Sequence, residues 1–148
     1  SVAHVSEFAA ANSDTWATEI GKLSRTRPKD IISGRSLSKG ESGGITFIGL
    51  LGSISGSFVI ATIGFFLDIN ISYLILVFIS GFLGSLFDSV LGSTLQSRFI
   101  LMDGKTIKEE KEKGSYLYSG LLSINNNSVN FLCTLSAPVF FILLYLLT

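Results

Sequence analysis

Every basic side chain in this sequence falls within two short windows, and that confinement decides what the chain can fold into. All 11 Lys and Arg lie within residues 22–39 and 98–113, and the long apolar runs contain none. Charges are costly in hydrocarbon, and Lys and Arg collect in cytoplasmic loops, so the pattern is that of a polytopic membrane protein. Only 15% of residues are charged and mean hydropathy is +0.55, against about 25% charged in soluble domains. The expected partner is therefore the lipid bilayer. A nucleic-acid partner is argued against, because its basic residues would form one continuous face. At 148 residues the chain reads as a single membrane domain, all-α, built as a polytopic helical bundle. It begins at Ser1 with neither a start methionine nor a signal-peptide pattern, which leads to the expectation of a fragment lacking N-terminal spans.

Taken in order, residues 1–21 read as a polar or amphipathic helix, or as the end of a truncated span. At about 100° per residue, Glu7, Asp14, Thr15, Thr18 and Lys22 fall on one side, with Asn12 and Glu19 at its flank. Val5, Ala9, Trp16, Ala17, Ile20 and Leu23 fall on the other, and Gly21 is the expected end signal. Residues 22–42 form a basic loop punctuated by Pro28, Gly34 and Gly40. Residues 43–67 carry no charge and suffice for a span, which needs about 20 apolar residues. Gly49, Gly52, Ser53, Gly56 and Ser57 recur there at spacings that let neighbouring helices approach closely. Asp68 to Asn70 make a short turn. A second span runs over 71–88, with the helix able to continue to 98; Ser85, Asp88, Gly92 and Gln96 share one face. Residues 98–128 form a second loop whose mixed charges read as a solvated face. Residues 129–147 are the last span, with Pro138 as a kink. The single cysteine, Cys133, reads as a small hydrophobe, and no Cys/His metal cluster can be built.

The positive-inside rule places both basic loops in the cytoplasm. The first two spans then form a hairpin that returns Asp88 to the membrane face carrying Asp14, Glu19 and the basic loop. Carboxylates can hold a divalent cation, and acids within membrane segments are functional by default. Lys22, Arg35 and Lys39, with the glycine turn Gly40 to Gly44, suit phosphate. Metal, cations and alignment are the parts that phosphoryl or nucleotidyl transfer needs. The same basic loop equally suits a role in topology and headgroup binding. Asn125, Asn126, Asn127 and Asn130 suit either helix capping or substrate contact. His4 is the only histidine and no Walker-type phosphate loop is present, which argues against His-based triads and P-loop enzymes.

Four ordered motifs, NSDTWATEIG, GRSLSKGESGGITFIG, GFLGSLFDSVLGSTLQ and NNNSVNF, resemble the transmembrane protein 19 family, which includes plant phytyl-phosphate kinases. More loosely, Asp14, Thr15, Ala17, Gly21 and Lys22, followed by Lys39, Gly40, Gly43 and Gly44, resemble membrane lipid kinases and cytidylyltransferases that use CTP. The resemblance implies an integral membrane kinase acting on an isoprenoid monophosphate, with Mg²⁺ and a nucleoside triphosphate, CTP by this likeness. Asp14, Glu19 and Asp88 would hold the metal. Lys22, Arg35, Lys39, Gly40, Gly43 and Gly44 would meet the nucleotide phosphates, and Asn127 and Asn130 would orient the acceptor. A lipid-phosphate cytidylyltransferase and a small-solute or lipid transporter are the alternatives. One departure stands at Asn127 and Ser128, where relatives often carry an Asp.

Overall fold

Side-chain caps fix where three of the helices begin. Thr46 Oγ1 accepts from Gly49 N (3.0 Å), Asn70 Oδ1 from Ser72 N (2.9 Å), and Asn125 Oδ1 from Ser128 N (3.0 Å). Each satisfies a donor that a helix leaves orphaned in its first turn. In this computed structural model, which describes residues 1–104 and 106–148, the elements run α1 (Val2–Lys22), β1 (Lys29–Asp30), β2 (Gly44–Ile45), α2 (Phe47–Phe66), α3 (Ile71–Thr94), β3 (Arg98–Ile100), β4 (Ile107–Lys108), β5 (Tyr116–Ser119) and α4 (Asn126–Leu147). The fold is a helical bundle, and α2, α3 and α4 are long and apolar enough to cross a membrane.

The ends of the elements depart from the sequence reading for local reasons. Residues 43–46 belong to the loop, because Gly44 and Ile45 pair with Asp30 and Lys29 in a short antiparallel ladder. The helix carrying Asp88 stops at Thr94 and gives way to a strand at Arg98. The last helix starts at Asn126 because Asn125 is its cap, and it carries Pro138 inside it. The mixed-charge stretch after Arg98 is not a plain loop. It holds a three-stranded antiparallel sheet in the order β4-β3-β5.

The largest departure concerns α1. Its buried stripe is Ser6, Ala9, Ala10 and Ser13, all at 0% exposure. Trp16 and Leu23, which the sequence places on the apolar side, face outward. The helix ends at Lys22, one residue past the expected Gly21, and Gly21 also packs near Gly49 of α2 and its cap Thr46. Small side chains win the interior position because α1 is packed against all three apolar helices, and only backbone-close contact fits there. A Cβ on Gly52 would lie 2.7 Å from Trp16 O, and one on Gly56 would lie 2.8 Å from Asn12 O. On the α3 side, a Cβ on Gly84 would lie 2.7 Å from the Ala10 Cβ. Polar groups close the same seam. Asn12 Nδ2 donates to Gly56 O (2.8 Å), and Ser13 Oγ donates to Ser53 O (2.8 Å) and lies 2.7 Å from Ser53 Oγ. Two apolar clusters add to the core: Ala9, Leu76, Val77 and Phe141 between α1, α3 and α4, and Ala10, Cys133 and Ala137 between α1 and α4.

This packing predicts that Gly52→Ala destabilises the bundle by about 1–3 kcal/mol, the usual cost of overpacking. Ser55→Ala, at an exposed position of the same helix, should leave it unchanged. Thermal unfolding of the detergent-solubilised protein compares the two.

Candidate functional site

α1 and α3 finish, and α2 and α4 begin, around a cavity of about 300 Å³. Asp14 reaches it from α1, next in sequence to Ser13, which is locked onto Ser53. Asp88 reaches it from α3, one turn beyond the buried Ser85. Thr46 and Gly49 bring the N-terminal end of α2, and Asn126 and Asn130 that of α4. Helix N-termini present free N–H groups and a partial positive charge. Glu19, Lys22, Lys39, Gly40, Gly43 and Gly44 complete the rim expected from the sequence. The Asn130 carboxamide satisfies its neighbours with its nitrogen toward Asp88 Oδ1 (3.2 Å) and Asn126 O (3.3 Å).

Two expected residues lie elsewhere. Arg35 is outside this cavity: its Nε donates to Ser33 Oγ (3.2 Å), and it lines a separate hollow with Asp30, Ser33 and Ser93. Asn127 is exposed and lines nothing; a helix turns about 100° per residue, so Asn126 and Asn130 share the cavity face and Asn127 does not. Glu19 lines the cavity but forms no cluster of three with the other two acids. Its Oε1 pairs with Lys22 Nζ at 2.6 Å. Among the described residues no group of three His, Cys, Asp or Glu is arranged to hold a metal ion. What the structure brings together is the pair Asp14 and Asp88, with oxygen donors from Ser53, Ser85, Ser89, Thr18 and Asn130 around them.

Lys39 Nζ donates to Ser24 O (2.6 Å), which ties the two ends of the basic loop. The glycine turn rests directly on α3. Gly43 has φ +79°, and a Cβ there would lie 2.6 Å from Ser93 N, so only glycine fits on both counts. Gly40, at φ +84°, has open space around it.

The groups that hold this turn escaped the sequence reading. Arg98 Nη2 donates to Ser42 O (2.7 Å) and Gly92 O (3.1 Å), and its Nη1 lies 3.4 Å from Glu41 Oε1. Ser42 Oγ donates to Gln96 Oε1 (2.7 Å) and Ser42 N to Glu109 Oε1 (2.7 Å). Glu109 lines the cavity too and interacts electrostatically with Asp88. Gln96 and Arg98 are buried, and the sequence placed Gln96 only on a helix face shared with Asp88. Apart from Arg98 with Gly92, these pairs are 54 to 67 residues apart, so no local pattern announces them.

Asp30, also missed, anchors the other end of the loop. Its carboxylate accepts from Ile32 N, Ser33 N and Ser33 Oγ, and its Oδ2 from Ser93 Oγ of α3 (2.7 Å). Burial alone would raise its pKa, but these hydrogen bonds outweigh it and hold the carboxyl down to about 2.

The description "Integral membrane protein DUF92" matches residues 1–138. The chain belongs to that family. Among curated relatives, Protein PGR of Arabidopsis thaliana is 31% identical over 144 residues, covering 88% of this chain and 50% of the relative. An uncharacterized membrane protein of Methanocaldococcus jannaschii is 28% identical over 144 residues, covering 97% of this chain and 51% of the relative. The chain thus spans about half the length of the curated relatives it matches. No solved structure matches it significantly. These relatives agree with the resemblance to the transmembrane protein 19 family carried by the four motifs.

Because the Asp30 pKa is depressed, its bonds stabilise the loop fully above the unfolded carboxyl value of about 4. That contribution is lost as pH falls from about 4 through about 2. Proteolytic susceptibility of the 22–42 loop, assayed with an acid-active protease, should rise across this window. In Asp30→Asn it should be high already at pH 5 and change little with pH.

Proposed function

We propose that this DUF92 protein is a membrane-embedded kinase that transfers a phosphoryl group from a nucleoside triphosphate to an isoprenoid monophosphate. The observation that carries the reading is the meeting of Asp14 and Asp88, from two different helices, in one cavity flanked by two helix N-termini and by Lys22 and Lys39. CTP is the nucleotide the motif resemblance favours. With both basic loops in the cytoplasm, as their charge implies, the cavity faces the compartment that supplies nucleotide.

The donor set fits Mg²⁺. That ion takes hard oxygen ligands, and is commonly held by one or two carboxylates with water and substrate phosphates completing its shell. Asp14 and Asp88 are the residues that would hold it, and when bound it neutralises charge on the phosphate oxygens. Lys22 and Lys39 at the rim would draw the nucleotide phosphates in. The N–H groups at the start of α2 suit the same anions. Asn130, already within hydrogen-bond reach of Asp88, would hold that carboxylate in place and orient the acceptor phosphate. In the reaction an oxygen of the acceptor phosphate bonds to the γ-phosphorus while the bond to the nucleoside diphosphate breaks. The apolar wall residues Leu50 and Leu86 mark the side on which an isoprenoid tail would continue into the bilayer.

Purified protein in detergent, given Mg²⁺, a panel of nucleoside triphosphates and phytyl or geranylgeranyl monophosphate, should form prenyl diphosphate and release nucleoside diphosphate. Asp14→Asn and Asp88→Asn should each lower turnover by about 100-fold or more with unchanged thermal unfolding. Full activity in Asp14→Asn contradicts the assignment. Release of pyrophosphate in place of the diphosphate identifies a cytidylyltransferase instead.

A further inference from the structure

The anion-binding group of the glycine turn already has an anion on it. Ser42 N donates to Glu109 Oε1 at 2.7 Å, across 67 residues of sequence. Glu109 comes from the stretch just after β4, a two-residue strand at the edge of the small sheet, and its side chain lines the same cavity as Asp14 and Asp88. Everything else about Ser42 is fixed from behind: its carbonyl by Arg98, its hydroxyl by Gln96. Only the N–H is turned to a group on a separate loop. A carboxylate there sits in a cavity with two others, and its interaction with Asp88 is repulsive. Its position therefore depends on the hydrogen bond from Ser42 N and has no basic partner among the described residues to reinforce it.

We propose that Glu109 is an internal stand-in for a phosphate-class anion, occupying a subsite at the Ser42 main-chain N–H that a phosphorylated ligand takes over by displacing it. The carboxylate and a phosphate oxygen make the same demand on an N–H donor. A ligand that brings a divalent cation to Asp14 and Asp88 removes the repulsion that an added anion would otherwise feel. The empty state thus keeps its turn ordered, and Glu109 competes with the ligand for one donor. The inference rests on the reading that the cavity takes a phosphorylated ligand, but not on the transfer step.

Inorganic pyrophosphate with Mg²⁺ is the probe, titrated by calorimetry into the detergent-solubilised protein. Glu109→Gln keeps an acceptor for Ser42 N and removes the charge; Glu109→Ala removes both. Both variants should bind pyrophosphate roughly fivefold to tenfold more tightly than the parent, since a competing charged acceptor has gone. Glu112→Gln, which among the described residues bonds only to Lys108 and the Ser115 turn, should bind like the parent. Hydrogen exchange at the Ser42 amide locates the effect: fast in Glu109→Ala, and slow again when pyrophosphate is added. Weaker binding in Glu109→Ala with parent-like binding in Glu109→Gln makes Glu109 a structural strut and overturns the proposal. So does a Ser42 amide that pyrophosphate leaves fast, or the absence of binding in all the proteins. A protein that binds as expected yet forms no prenyl diphosphate refutes the kinase reading alone.

Discussion

The backbone-close contact between α1 and α2 is the interaction on which the rest of the structure depends. Gly49, Gly52 and Gly56 form a stripe that leaves no room for a side chain against Ala17, Trp16 and Asn12. In lipid there is little hydrophobic drive to bring helices together, so close packing and hydrogen bonds across the seam must supply it. The Ser13–Ser53 and Asn12–Gly56 bonds do this where the helices are nearest. Larger residues on either helix would push α1 outward, and its acids would leave the cavity with it.

That contact turns a polar helix into an interior one. α1 carries Glu7, Asp14, Glu19 and Lys22, too many charges to face lipid all round. Seated among α2, α3 and α4, it buries only serine and alanine and lets Asp14 open into the space at the helix ends. Asp88 arrives there because α2 and α3 form a hairpin of nearly equal arms joined by a tight turn at Asp68, whose φ is +57°. Residues of both loops then line the rim. Asp30 fastens the first to Ser93, and Arg98, Gln96 and Glu109 from the second chain segment grip Ser42.

Much of this could be read from the residues, and the omissions have physical causes. The long apolar runs marked α2 and α4 to within four residues and the start of α3, whose end at Thr94 falls between the expected 88 and 98, and the glycine spacing in α2 pointed to close packing. The hairpin argument from the two basic windows placed Asp88 on the side of Asp14, and the structure has both in one cavity. The residues that α1 buries were not singled out, because apolarity was the guide to its two sides. In a helix packed backbone to backbone, size decides, and Ser6 and Ser13 outrank Trp16 and Leu23. The sheet β3–β5 was hidden because its strands are two to four residues long within a mixed-charge stretch, too short to show alternation. Asp30, Arg98 and Glu109 looked like loop charges. Their roles come from partners 56 to 67 residues away, which only the fold brings near.

The most direct test of this account asks whether α1 lies against α2 in the membrane. Ser13→Cys and Ser53→Cys, combined with Cys133→Ser to remove the native thiol, put two thiols where the hydroxyl oxygens are 2.7 Å apart. After mild oxidation in membranes, trypsin would cut the loop between them at Arg25, Lys29 or Arg35. The account predicts that the α1 and α2 fragments migrate together on a non-reducing gel and separate on reduction. Fragments that separate without reductant would place α1 outside the bundle. Asp14 would then have no cavity to share with Asp88.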